Sequence, residues 1–311
     1  MEEQTIRFEQ LNETHIEAFQ RLIYQVYKKN VSAETIRNKY NSFIDDKEWI
    51  AILAFAGDEP VAFAGNIITP MIYKGQRVLS GHLVDSMTSP TFMAKGLYTS
   101  VVNKNIELLQ KRGVQFIWGY ANQNSEAAVT KKLNFVFQHR FTAFGFDKGE
   151  SFLSKVRTKI NYQAAQKRTM RILNRFEQTE AFKGSLVSNE ELVTIDKTPA
   201  YMQYKFKGGS KVYLIDGVKF WINVKTHLLI GDIEYEEKAQ LEKAMKTFLD
   251  LVIKHQLGKV YFHAIEPSEI GDVLKSFGAS TVNSWSLCYR NLSCDFPLEQ
   301  FVVAFGDIDT F

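Results

Sequence analysis

Cysteine is scarce in this chain. Only Cys288 and Cys294 occur in 311 residues. They have no neighbouring histidine or cysteine, which leaves no disulfide framework and no metal-ligand spacing. Long apolar runs are missing too. The longest, 49–56, falls far short of the roughly 20 residues that span a bilayer. The opening MEEQTIRFEQ is acidic and has no apolar stretch of signal-peptide type. Charge of one sign is nearly absent as an excess. Lys and Arg number 38 against 35 Asp and Glu, a net +3, so composition alone does not argue for nucleic acid, which is not an expected partner. What remains, 45% hydrophobic and 23% charged, is the composition of an ordinary globular protein. The expectation is a soluble cytoplasmic protein of about two domains, each long enough to bury a core.

The pattern alternates strands and helices. Residues 6–9 read as a short strand. Asn12 then stands as an N-cap before a helix whose Ile16, Phe19, Leu22, Ile23 and Val26 share a face. A second helix is expected over 33–43. Residues 49–56 and 60–73 read as strands joined by Gly57-Asp58-Glu59, and 78–87 as a third after Lys74-Gly75-Gln76. A helix over 97–111 presents Val101, Val102, Ile106 and Leu109 inward and stops at Gly113. Strands follow at 114–120 and 136–146, with a short helix between them. Residues 151–183 are basic and helical in character, with Lys155, Arg157, Lys159, Lys167, Arg168, Arg171, Arg175 and Lys183. They read as a connector whose charges form a solvated face or a surface for an acidic ligand.

The second half repeats the first. A hairpin turns at Asp216-Gly217-Val218, a strand covers 227–233, a helix 237–255, a strand 259–264, a helix 268–277 and a strand 284–291. The spacing Asp232 to Gly258 to Gly278 echoes Asp85 to Gly113 to Asn134, so the chain reads as two copies of one α/β unit. The copies differ after the strand. The second has Glu234-Tyr235-Glu236-Glu237 and no glycine turn, and carboxylates there would repel a pyrophosphate.

The stretch 81–135 carries the chemistry. A strand leads into Thr88-Ser89-Pro90, then Met93-Ala94-Lys95-Gly96 turns into a helix. Such a turn exposes free backbone N–H groups and the positive end of the helix dipole, a site for a phosphate or pyrophosphate. After the next strand stand Asn122, Ser125 and Lys132-Leu133-Asn134-Phe135. In this order the stretch resembles the acyl-CoA-binding core of the GNAT superfamily of N-acetyltransferases, over roughly residues 5–147. In that family the loop reads R/Q-x-x-G-x-G/A. Here it falls on Met93, Ala94, Lys95, Gly96, Leu97 and Tyr98, and only Gly96 matches strictly. Asn122, Ser125 and 132–135 look like the family's N-x-x-[AS]…K-x-G-F.

The resemblance implies a mixed α/β fold of tandem GNAT units, each a largely antiparallel twisted sheet flanked by helices. Its boundaries would be 1–148, a basic connector over 149–190, and 191–311. It implies acetyl-CoA or another short acyl-CoA as co-substrate, no metal, and a small-molecule primary amine as partner, an amino sugar being the best guess. Homo-oligomerisation stays open. The loop 93–98 would hold the pyrophosphate, a backbone N–H at Ser86 or Met87 would polarise the acyl carbonyl, and Asn122 and Ser125 would contact the pantetheine arm. Asp85 and His82 are candidates for amine ligand or base. Three apart on one strand, they should face opposite ways. The family's usual tyrosine acid is Thr130 here, which leaves Tyr98 and Tyr120 as substitutes. The terminal 305–311, apolar and acidic, is expected to dock. Two rivals remain: an aminoacyl-tRNA-dependent peptidyltransferase, and a binding module of the same fold without catalysis.

Overall fold

The computed structural model describes residues 5–40, 49–121, 126–178, 180–186, 189–293, 297 and 300–311. The first half runs β1 (Ile6–Gln10), α1 (Ile16–Tyr27), α2 (Ala33–Tyr40), β2 (Ile50–Ala56), β3 (Glu59–Tyr73) and β4 (Gln76–Thr88). It continues with α3 (Leu97–Lys111), β5 (Phe116–Ala121), α4 (Glu126–Leu133) and β6 (Val136–Phe146). The basic segment holds α5 (Phe152–Ile160) and α6 (Tyr162–Leu173). Next come β7 (Thr194–Ile195) and α7 (Pro199–Phe206), a region the sequence pattern leaves unassigned. Thr198 caps α7 by accepting from the Tyr201 N–H at 3.2 Å, with Pro199 in the first turn. The remainder is β8 (Lys211–Ile215), β9 (Val218–Val224), β10 (Leu228–Glu234), α8 (Lys238–His255), β11 (Val260–Ile265), α9 (Glu269–Ser276) and β12 (Ser280–Asn291).

The chain forms two compact units. The first comprises Met1–Met71, Arg77–Gln138 and Ser286–Glu299. Its strands run in the order β1-β2-β3-β4-β5 followed by the end of β12, with β1–β2, β2–β3 and β5–β12 antiparallel and β4–β5 parallel. One face of the sheet carries α3 and α4, whose Val101, Val102, Ile106, Leu109, Val129 and Leu133 meet Ala54, Ala62, Ala64 and Ile117 in a continuous core. Asn105, buried on α3, fastens the helix by donating to the Ala64 carbonyl at 2.5 Å and accepting from Asn66 at 3.1 Å. A buried amide is tolerated because its hydrogen bonds are made. The other face carries the α1 and α2 aromatics: Phe19 stacks on Phe63 at 4.0 Å, and Tyr40 meets both edge-on. Asn12 acts one turn earlier than a helix cap would. It accepts from the Thr14 N–H at the start of a short 3-10 turn that leads into α1.

The second unit comprises Ile72–Gln76, His139–Trp285 and Gln300–Phe311. Its order is β6-β11-β10-β9-β8, with a parallel pair only at β10–β11. The two halves of the chain therefore trade strands. Residues 141–146 of β6 pair with β11 in the second unit, and 286–291 of β12 pair with β5 in the first. The basic segment read as a connector lies in the second unit. Leu173 of α6 is buried in that unit's core, with Met170 and Ile172 packed against it. Among the described residues no helix is long and apolar enough to cross a membrane.

Candidate acyl-CoA site

β4 and β5 pair in parallel over only three positions, Ser80↔Phe116, Gly81↔Ile117 and His82↔Trp118. Beyond these the strands diverge, although β4 runs on to Thr88 and β5 to Ala121. Diverging parallel strands leave backbone donors and acceptors facing a crevice instead of each other. The hydroxyls of Ser86 and Thr88 in this stretch are buried and have no hydrogen-bond partner among the described residues. Buried polar atoms of that kind call for a partner. At the near end of β4 the α3 helix lies tight on the sheet. A Cβ on Gly81 would sit 2.9 Å from the Leu109 methyls, so glycine there sets the approach.

The loop into α3 supplies the second wall. Ala94 (φ 62°) and Gly96 (φ 79°) are both left-handed. Alternating handedness of this type turns successive N–H groups to one side. The first helical bond runs from the Ser100 N–H to the Gly96 carbonyl at 3.1 Å, so the N–H groups of Leu97, Tyr98 and Thr99 lie at the open helix end. A Cβ on Gly96 would meet nothing within 4 Å. Lys95 folds over the Phe92 ring at 4.6 Å, and Met93 is exposed. A left-handed alanine costs on the order of 1 kcal/mol, and strain of this kind gathers at functional loops. Asn122 and Ser125 lie outside the described residues.

The face occupied by Asp85 corrects the expectation from strand alternation. Asp85 is left-handed (φ 52°) inside β4, and such a residue resets the two-residue period. His82 is buried and stacks on Trp118 at 3.8 Å, and the Trp118 N–H donates to Ser80 at 3.0 Å and to Thr69 at 3.4 Å. Thr69 shares the face of β3 that carries Phe63 and Gly65, and Tyr40 lies across those two residues. The Tyr40 hydroxyl donates to Asp85 Oδ2 at 2.8 Å, and Lys39 Nζ lies 2.7 Å from the same oxygen. His82 and Asp85 thus lie on one face. Asp85 is the more accessible, with its side chain 31% exposed, while His82 is packed between rings. Sequence reasoning missed Lys39 and Tyr40, which reach Asp85 only through the tertiary fold.

The acid candidates differ as well. Tyr98 packs against the first unit's core, where burial and then the neighbouring Cys288 push its phenol up to about 12. Tyr120 lies edge-on to His82 and Trp118, at 6.1 and 6.0 Å. Thr130 is engaged, its hydroxyl donating to the Glu126 carbonyl at 2.8 Å. Among the described residues no group of three or more His, Cys, Asp or Glu side chains converges as a metal site would.

The strand divergence and the glycine-led helix start agree with a sequence match: residues 7–137 fit the acetyltransferase (GNAT) domain family. The fold of the whole chain is similar to solved acetyltransferase structures. One is a GCN5-related N-acetyltransferase from Kribbella flavida, at 13% identity, 93% of this chain, 71% of that chain and TM-score 0.60. Another is a putative acetyltransferase from Pyrococcus horikoshii, at 14% identity, 98% and 95% coverage and TM-score 0.56. A third is a probable N-acyltransferase from Enterococcus faecalis V583, at 9% identity, 95% and 75% coverage and TM-score 0.63. At these identities the likeness is one of fold. No curated protein matches the chain in sequence.

The second unit repeats the first unit's strand arrangement with a different outcome. β10 and β11 also pair in parallel at three positions, Leu228↔Val260 to Ile230↔Phe262, and the register against β9 shifts between Ile230 and Asp232. Here the chain's own 305–311 fills the divergence. A Cβ on Gly231 would sit 2.6 Å from the Phe311 ring and 2.8 Å from the Gly306 Cα. Phe311 lies edge-on to Trp221 at 5.0 Å, and Phe305 stacks on His263 at 4.0 Å. Burial pushes the His263 imidazole down to about 4. Lys197, fully buried, bridges Asp232 at 3.2 Å and Asp307 at 3.5 Å, and Tyr201 donates to Asp307 at 2.9 Å. Burial opposes the Lys197 charge, but Asp307 and Asp232 outweigh it and hold the ammonium above its usual range. Burial pushes the Asp232 carboxyl up against the pull of Lys197, as expected where two carboxylates share one cation. Glu234 at the end of β10 is also spoken for. It accepts from the N–H groups of Lys183 and Gly184 and pairs with Lys219 at 2.8 Å.

Proposed function

We propose that the chain is an N-acetyltransferase that moves an acetyl or short acyl group from acyl-CoA to the primary amine of a small polar molecule, an amino sugar being the favoured class. The observation that carries this is the β4–β5 divergence beside the left-handed Ala94–Gly96 loop and the three N–H groups of residues 97–99. In this reading those N–H groups and Lys95 hold the pyrophosphate, with Met93 and Leu97 flanking it. A backbone N–H at Ser86 or Met87 would polarise the thioester carbonyl. Asn122 and Ser125, by the resemblance, would contact the pantetheine arm. Asp85 receives the amine, because its carboxylate is accessible and fixed by Tyr40 and Lys39, and the buried His82 positions that wall through Trp118. The thiolate leaves with little help from an acid, since a phenol near 12 lies well above an ordinary thiol. The first unit does this chemistry, and the second unit, with its filled divergence, supplies architecture.

Titration of the purified chain with acetyl-CoA, repeated with Gly96→Trp, tests the reading. Saturable binding that the substitution weakens about tenfold or more, followed by amine-dependent thiol release, supports it. Absence of binding sinks it. One alternative keeps specific support: binding without turnover, favoured by the engaged Thr130 hydroxyl and the raised Tyr98 phenol. It predicts the same titration and no thiol release with any amine.

A further inference from the structure

The second unit holds a cavity of about 270 Å³ between α5, α6 and the turn from α8 to β11. At roughly 30 Å³ per water it has room for a pyrophosphate-sized group. Its wall carries Lys155, Lys159, Arg168 and Lys259 against the single carboxylate of Glu150, an excess of three positive charges with His227 neutral. Glu150 is shared, lying 3.1 Å from Lys155 and 3.6 Å from Lys259. Asp147 lies 3.3 Å from Lys259, outside the lining. Among the described residues neither Lys159 nor Arg168 has a carboxylate within 4 Å.

The site is built from tied-down parts. Arg168 donates to the His255 carbonyl at 3.0 Å, taking up an acceptor at the α8 C-terminus and leaving further N–H groups for a ligand. The half-charge of that helix end is too small to offset three cations. The loop bearing Glu150 is locked to the turn bearing Lys259. Gly258 N–H donates to Gly149 at 3.0 Å, and a Cβ on Gly149 would sit 2.5 Å from the Gly258 carbonyl. Like charges lining one cavity repel one another unless an anion sits among them. Forked and pointed N–H donors together suit phosphate oxygens.

We propose that this cavity binds a small, multiply charged oxyanion, a phosphate or pyrophosphate group, at a site separate from the acyl-CoA loop. The proposal stands whether or not the first unit is a catalyst. His227, in the wall, is held below its usual value by burial and by Lys259, against the opposite pull of Glu150 and Asp147. A bound dianion reverses that.

The test is calorimetric titration of the full chain with inorganic pyrophosphate, run also on Gly96→Trp to remove binding at the 93–98 loop. One saturable site is expected that survives Gly96→Trp and weakens about tenfold or more in Lys159→Glu and in Arg168→Gln. Lys159 is exposed, so its variant keeps the fold and is decisive if Arg168→Gln disturbs α6. NMR should show the His227 resonance moving with pyrophosphate and its pKa rising. No saturable heat, undiminished affinity in Lys159→Glu, or equal competition by chloride at matched ionic strength overturns the proposal. A nucleoside diphosphate binding tighter than pyrophosphate assigns the group to an organic phosphate. Equal or weaker binding assigns it to the free anion. Either result supports an oxyanion site.

Discussion

Two strand divergences of the same design end differently in this molecule. In the first unit β4 and β5 part after His82 and Trp118, beside a loop with open space above Gly96. In the second, β10 and β11 part after Ile230 and Phe262, and 305–311 lies in the gap, anchored by the Lys197–Asp232–Asp307 cluster. A parallel pair that splays must satisfy its orphaned groups somehow. The first unit leaves Ser86 and Thr88 without partners among the described residues, and the second uses Phe305, Phe311 and a buried lysine. The same architecture keeps buried polar groups without partners among the described residues in one unit, the proposed ligand site, and becomes a core in the other, where the chain fills the gap.

The comparison breaks most severely at Lys197. Lys197→Met leaves two buried carboxylates without their cation and should cost about 3–5 kcal/mol, read as a lower urea midpoint. Lys197→Met with Asp307→Asn should recover part of the loss. No change in midpoint would mean the cluster does not hold 305–311 in place. Phe311→Ala, which empties the packing against Trp221 and Gly231, should cost about 3 kcal/mol and leave acetyl-CoA affinity unchanged. Lost CoA binding in that variant would show that the two divergences are not independent.

A pH experiment sharpens the second divergence. The folded His263 pKa, about 4, lies below that of the unfolded chain, near 6.5. The unfolded chain then takes up a proton that the folded chain refuses. Stability is complete above about pH 6.5 and falls as pH drops from there toward 4, by on the order of 1–3 kcal/mol. Urea unfolding at pH 7 and pH 4.5 reads this slope, and His263→Phe, which keeps the stack on Phe305, should flatten it. Asp85→Asn probes the first divergence with the smallest effect on stability. It keeps the Tyr40 hydrogen bond and loses the partly exposed Lys39 ion pair, about 0–1 kcal/mol. If Asp85 receives the amine, turnover should still fall about a hundredfold; unchanged turnover removes it from the site.

Much of this was legible in the residues. The apolar spacing of Val101, Val102, Ile106 and Leu109, closed by Gly113, marks α3, and Gly96 marks its start. The repeat from Asp232 to Gly278 marks the second strand–helix–strand, which the β10–β11 pairing bears out. These features are local: periodicity and turn chemistry depend on neighbours a few residues apart. The face of Asp85 was not legible, because a single left-handed residue inside an apolar strand leaves no trace in the pattern. Nor were its partners, since Lys39 and Tyr40 lie 45 or more residues away.

Side-chain period and backbone freedom at short range account for most of the elements, their order, the doubling of the unit and the glycine-led turn before α3, though not for β7 and α7. Tertiary structure alone decided that the halves exchange β6 and β12, that one divergence is filled by residues 305–311, and that a buried lysine holds two aspartates together. Those outcomes depend on which distant surfaces bury one another and on charges that burial forces to pair, and neither quantity can be read from neighbouring residues.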